Sequence, residues 1–394
     1  MNARHVFLLC SLATVAVVTS CEEVPTAPPE PEPGCVTHAD CGAESPYCQP
    51  ELGECGEPPP GSELGWGDGT AASVTLTVIL EAPQLKQPID LGFDPSAPNR
   101  LWVINRQDDS VVIVTDPGTE GMTFVRKKDP AAAHFMADPP AFEFGAVDDV
   151  YGQTFGICGD GDNEDNFMGP ALFSSDLDVF ATQNEVTGLG SHLDMLHSTT
   201  FCRGIAHVEA NVFFAFNSAK KSLDKYDFGD DHGPGNDDHE DGQVLRYVQG
   251  AVTGLDGVSS HLDYDPTTKL LYVADTGTGR ILSLDTASGT VGKSFGGLET
   301  IAQRKTVTDA VLSEVVAAGT LQAPSGLELH DGILFVSDNA TSTFHAFDLT
   351  GQLLRSLTTD LAPGSLGGFT FGPDDKIYFV DIVGRRVLRL DPTI

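Results

Sequence analysis

The sequence predicts an all-β chain whose main domain, residues 72–394, is a six-bladed β-propeller closed by its own first strand. Three observations predict it. A strand-turn-strand-turn-strand unit recurs six times, short apolar runs are separated by Gly, Asp, Asn and Pro, and one spare apolar run precedes the first unit. The last unit ends after its third strand, so the spare run Ser73–Leu80 is expected to supply its fourth.

The elements before the propeller follow in order. Residues 1–20 carry Arg4 and His5, then an apolar run from Val6 to Val18 that is too short for a comfortable membrane span. That is the layout of a secretory signal peptide. Val18-Thr19-Ser20-Cys21 resembles the lipobox of bacterial lipoproteins, which implies cleavage before Cys21 and acylation of its thiol. The resemblance places the chain at the cell envelope, anchored by lipid to a bacterial membrane and facing the periplasm or the exterior. Residues 21–34 form a Pro-rich tether and residues 56–71, with Glu57-Pro58-Pro59-Pro60-Gly61, a second spacer.

Eight cysteines fit the same compartment. With Cys10 in the signal and Cys21 acylated, six remain, an even number as an oxidising environment expects. Cys35, Cys41, Cys48 and Cys55 lie in a segment too poor in apolar residues for its own core, so residues 35–55 read as a knot of two disulfides. Its gaps lack the CxxC pair of a zinc site, and three connectivities are open. Cys158 ends a second strand and Cys202 precedes the next unit's inner strand, which predicts a disulfide between adjacent units.

Within the propeller the unit is clearest in Ser260–Asp265, Leu271–Asp275 and Gly279–Asp285. It returns in Ser325–Leu329, Ile333–Asp338 and Phe344–Asp348, and in Gly367–Phe371, Ile377–Asp381 and Arg386–Asp391. Earlier copies begin at Ile89, Ala141 and Gly204. The run Val273-Ala274-Asp275 followed by Thr276-Gly277-Thr278-Gly279-Arg280-Ile281 resembles NHL repeats. The resemblance implies the propeller fold, with functions in that family ranging from scaffold to enzyme.

Composition narrows the function. Lys and Arg number 22 against 57 Asp and Glu, a formal charge of −35, which excludes the basic footprint of a nucleic-acid binder. No P-loop, GxGxxG or GxSxG follows a strand, so no nucleotide cofactor and no serine hydrolase is expected. Propeller topology gathers the starts of inner strands and the loops between second and third strands on one face, here called the upper face. His192, His197 and His261 fall there, with Asp160 and Asp162 of an acidic loop. His261 occupies a slot that is Gly204, Gly326 and Gly368 in other units, and Ser191-His192-Leu193-Asp194 repeats as Ser260-His261-Leu262-Asp263. Imidazoles converging on the axis would suit Zn²⁺, Cu²⁺ or Fe²⁺.

Residues 230–241 place His232 and His239 among six acids that include Asp237 and Asp238. This density suits Ca²⁺ or a harder transition metal, although neither acidic loop matches an EF-hand. Two function classes follow. The first is an envelope-anchored, monomeric binding module for a small ligand, glycan or protein. The second is a metal-dependent lyase or hydrolase; NHL-like propellers include the peptidyl-hydroxyglycine amidating lyase, whose zinc is held by histidines from different blades.

Overall fold

A computed structural model describes residues 34–35, 40–42, 45, 47–49, 52–161, 169–236, 238–296 and 302–393. Cys21, Asp162 and Asp237 lie outside the described residues. The chain divides into two units, residues 1–58 and 59–394. In the first, β1 (Tyr47–Gln49) and β2 (Glu54–Gly56) form an antiparallel hairpin. Cys48 and Cys55 are register partners across it, yet each bonds backwards along the chain, as Cys35–Cys48 and Cys41–Cys55.

The second unit is the propeller. β3 (Val74–Glu81) comes first in sequence. Blade 1 is β4 (Pro88–Asp94), β5 (Ala97–Asn105), β6 (Ser110–Thr115) and β7 (Thr123–Lys127); blade 2 is β8 (Phe142–Asp148), β9 (Gly152–Ile157), β10 (Ala171–Ser174) and β11 (Asp194–Met195). Blade 3 runs β12 (Cys202–Glu209), β13 (Val212–Asn217), β14 (Ser222–Asp227) and β15 (Gln243–Tyr247). Blade 4 runs β16 (Leu262–Asp265), β17 (Leu270–Asp275) and β18 (Arg280–Asp285). The chain then leaves as the hairpin β19 (Thr290–Ser294) and β20 (Gln303–Thr308) before returning in β21 (Leu312–Val316). Blade 5 is β22 (Pro324–His330), β23 (Ile333–Asp338), β24 (Thr343–Asp348) and β25 (Leu353–Thr358). Blade 6 is β26 (Leu366–Phe371), β27 (Ile377–Asp381) and β28 (Arg386–Pro392), completed by β3 pairing antiparallel to β28.

Each second strand is apolar nearly throughout because both of its faces are covered by a neighbouring blade; Phe213, Phe214, Ala215 and Phe216 of β13 are all fully buried. Six separate apolar clusters result, one between each pair of adjacent blades. The fullest lies between blades 1 and 2, where Trp102 meets Phe144, Phe155 and Phe180. The polar residues ending second strands hold the incoming chain. Asp275 accepts from Thr253 N at 2.6 Å and Thr278 Oγ1 at 2.6 Å, Asp338 from Gln322 N at 2.7 Å, and Asn105 from Lys86 N at 2.8 Å.

Two features depart from the sequence reading. Residues 59–71 are not a free spacer: Leu64, in a short 3-10 turn at Ser62–Leu64, is fully buried between blades 5 and 6, and Gly69 O accepts from Thr358 N at 2.9 Å. The hairpin β19–β20 belongs by sequence to blade 4 but adds to blade 3, with β20 parallel to β15, so that the outer edge of blade 3 is covered.

Candidate functional site

Inner strands β4, β8, β12, β16, β22 and β26 contact one another in a closed ring around a central channel. Alternate residues of a strand face the same way, so each inner strand points every second side chain at the axis. One layer of the wall carries Asp90 and His261 at positions where other blades have Gly204, Gly326 and Gly368. Two residues further along lie Glu143, Asp263, Glu328 and Thr370, with Gly92 and Ala206 in the remaining blades. The cavity has a volume of about 260 Å³ and is lined by all four acids and by His261, with no Lys or Arg among its lining residues.

The acids are held in place. An inner strand has one edge toward the channel whose N–H groups lack a strand partner, and buried N–H groups require acceptors. Asp90 Oδ2 accepts from Phe142 N of blade 2 at 3.0 Å, Asp263 Oδ2 from Leu329 N of blade 5 at 2.5 Å, and Glu328 Oε1 from Phe371 N of blade 6 at 3.3 Å. Three carboxylates thus bridge from one blade to the next. The Gly368 slot is set by the same crowding: a Cβ there would stand 1.9 Å from Asp90 Oδ1 and 2.9 Å from His261 Cε1.

Withdrawal from water and mutual repulsion disfavour four negative charges here. Burial pushes Glu328 up to about 8, with Asp263 adding to it, and burial pushes Asp263 up to about 6. Glu143 is raised well above the usual carboxylate range by burial and then by Asp263, Asp90 and Glu328. Asp90 is raised by burial while His261, whose Nδ1 lies 3.8 Å from Asp90 Oδ1, opposes the shift. His261 is 8% exposed, and its Nε2 is buried without a hydrogen-bond partner among the described residues. The wall therefore combines protonated carboxyls, ionised carboxylates and an imidazole, and a positive charge entering it would displace protons.

The other residues singled out in the sequence fall elsewhere. His192 is fully buried, its ring stacked on Phe135 at 3.7 Å with Nδ1 2.9 Å from Leu189 O. The two Ser-His-Leu-Asp copies are not equivalent, because Ser191–Asp194 leads into the outermost strand of blade 2 whereas Ser260–Asp263 opens the inner strand of blade 4. His197 and His239 do come together, with ring centroids 5.4 Å apart, beside the outermost strand of blade 2. Three strand spacings, about 14 Å, separate that strand from the channel wall. His192, His197 and His261, expected to converge on the axis, thus lie in separate places. His232 lies near Asp194 and Asp241.

Asp160, one of the acids expected to suit Ca²⁺, is engaged by two arginines. It bridges Arg106 of blade 1 and Arg203 of blade 3, with Arg203 Nη1 at 2.5 Å, and burial raises it to about 6 against the pull of both arginines. Asp238 is an exposed loop residue accepting from Glu240 N at 3.0 Å. Cys158 and Cys202, both fully buried, form a disulfide between blades 2 and 3 with Cα atoms 6.0 Å apart.

The four channel acids stand in the sequence as single polar residues within inner strands. Their signal is a charged residue in the middle of an apolar inner strand, repeated at the same register in three units: Phe142-Glu143-Phe144, Leu262-Asp263-Tyr264 and Leu327-Glu328-Leu329.

No protein-family model matches the chain, and no curated protein matches its sequence. Solved structures do resemble it. An auxiliary nutrient binding protein from Bacteroides ovatus is 13% identical with a TM-score of 0.53, over 82% of this chain and 76% of that one. A streptogramin B lyase is 10% identical with a TM-score of 0.50, over 83% of this chain and 100% of that one. Identity this low speaks for the shared propeller fold alone.

Proposed function

We propose that this chain is a lipid-anchored envelope protein whose NHL-like propeller is a binding module for a ligand carrying a positive charge, received in the central channel. The observation that carries the reading is the wall itself: Asp90, Glu143, Asp263, Glu328 and His261 around one cavity with no Lys or Arg among its lining residues. The channel donors are not among the groups whose ligand atoms converge within 4.8 Å, which favours an ammonium group or a hydrated ion over a bare metal. A binding role is also what the name of the Bacteroides ovatus protein of similar fold, an auxiliary nutrient binding protein, states for that protein.

The anchoring half of the proposal rests on the signal-like run, Cys21 and the Pro-rich tether. Two or three acyl chains hold a protein stably where one holds it only marginally. Among the described residues His192, His197 and His261 stand in separate places, which favours the binding module over a metal-dependent lyase or hydrolase built on them.

The test is calorimetric titration of the untagged, purified mature protein at pH 8 with a monoamine, a diamine and Ca²⁺. Saturable binding of one of them, abolished in the combined Glu143→Gln, Asp263→Asn and Glu328→Gln variant, supports the reading. Absence of binding by all three, or binding unaffected in the variant, refutes it.

A further inference from the structure

The loop between β14 and β15 turns back over the outermost strand of blade 2, where two backbone bonds and one from a side chain fix it. His232 N donates to Leu193 O at 3.0 Å, Gly235 N to His192 O at 2.7 Å, and Asn184 Nδ2 to Pro234 O at 2.8 Å. This carries His232 and Asp241 onto Asp194, a residue with no solvent exposure. His232 Nε2 stands 3.5 Å from Asp241 Oδ1 and 3.8 Å from Asp194 Oδ2, and the three donor atoms all lie within 4.8 Å of one another.

Each carboxylate uses its other oxygen on a backbone N–H. Asp194 Oδ1 accepts from Met195 N at 2.7 Å and Asp241 Oδ2 from Asp230 N at 2.9 Å. The oxygens facing His232 are therefore aimed by outer contacts, as metal ligands generally are. The separations are too long for hydrogen bonds. They match the edge of a tetrahedron, since two ligands each about 2.1 Å from one ion lie about 3.4 Å apart. His232 Nε2 is itself buried and has no hydrogen-bond partner among the described residues.

We propose that Asp194, His232 and Asp241 bind one divalent ion of the Zn²⁺ class, which staples the blade 3 loop to the edge of blade 2. One imidazole nitrogen with two carboxylate oxygens is a borderline donor set, whereas Ca²⁺ takes six to eight oxygens and Mg²⁺ a near-octahedral oxygen shell. Asp241 is 37% exposed at its side chain, so water reaches the ion as the remaining ligand. The rival reading is that the three side chains stand together without an ion.

Metal analysis and calorimetry of the untagged mature protein, stripped with chelator and then given Zn²⁺ alone, separate the two. The proposal expects one tightly held Zn²⁺ per chain and a Tm raised by roughly 2–4 °C at saturation. It expects Zn²⁺ to be lost from His232→Ala and retained by His261→Ala. Asp241→Asn, at an exposed position, serves as the second variant should His232→Ala fold poorly, and it too should lose the ion. No Zn²⁺ on the wild type, full Zn²⁺ on both loop variants, or loss of the ion from His261→Ala would overturn it.

Discussion

Asp263 of blade 4 accepts a hydrogen bond from the backbone N–H of Leu329 in blade 5 at 2.5 Å, so one carboxylate both lines the channel and joins two blades. Asp90 and Glu328 make the equivalent contact to Phe142 and Phe371. A group held this way cannot swing aside to relieve repulsion from its neighbours. Burial, and after it the neighbouring acids, hold protons on these groups instead, which links the electrostatics of the channel to pH.

The first expected outcome is a stability that falls as pH rises. Glu328 is raised from 4.5 to about 8 and Asp263 from 3.8 to about 6. Over that interval the native chain holds protons that the unfolded chain has released, so these groups stabilise the fold fully below pH 4 and progressively less as pH climbs through 6 and 8. Glu328→Gln cannot titrate. Its Tm should drop less than that of the wild type between pH 5 and pH 8.5, measured by calorimetry without added cations; equal drops would show that Glu328 does not titrate in that window.

The second concerns the crowded upper layer of the channel. Gly368→Ala puts a methyl against the pinned carboxylate of Asp90 and should cost about 1–3 kcal/mol in urea unfolding. His261→Ala places a small residue in a slot that is Gly in three other blades, and should cost less than Gly368→Ala while weakening cation binding several-fold. If the two costs come out in the reverse order, His261 is a packing residue rather than part of a binding wall.

The third concerns the inter-blade disulfide. Cys158 and Cys202 are separated by 44 residues, and releasing a loop of that length costs about 3–4 kcal/mol in the chain-entropy description. The double variant Cys158→Ser, Cys202→Ser should unfold at a lower urea midpoint by that amount, whereas a shift below about 1 kcal/mol would mean that the bond constrains little.

How far the sequence carries is visible in particular residues. Blades 4, 5 and 6 were legible because an apolar second strand ending in Asp, then a tight turn, repeats in all three; that Asp holds the turn in each and, in blades 4 and 5, the incoming chain as well. The closing role of β3 followed from counting strands. The hairpin β19–β20 was not legible, since which blade an exposed two-stranded excursion joins depends on whose edge lies open beside it. Leu64 was read as part of a spacer because the prolines before it outweigh one apolar residue. His192 and His261 share a tetrapeptide and diverge only through tertiary neighbours, Phe135 for one and Asp90 for the other. Glu143, Asp263 and Glu328 each look like one polar residue in an alternating strand. Only closure of the ring turns them toward one another.

The account stands most directly on proton release during cation binding. With Glu328 at about 8, most of that carboxyl is protonated at pH 7, so a cation entering the channel should expel about one proton or more. Isothermal titration calorimetry at pH 7, repeated in two buffers of different ionisation enthalpy, reads that number. The account expects the observed enthalpy to differ between buffers by the heat of about one proton, the difference to fade above pH 9, and Glu328→Gln to reduce it at pH 7. Cation binding with the same enthalpy in both buffers at pH 7 would contradict it.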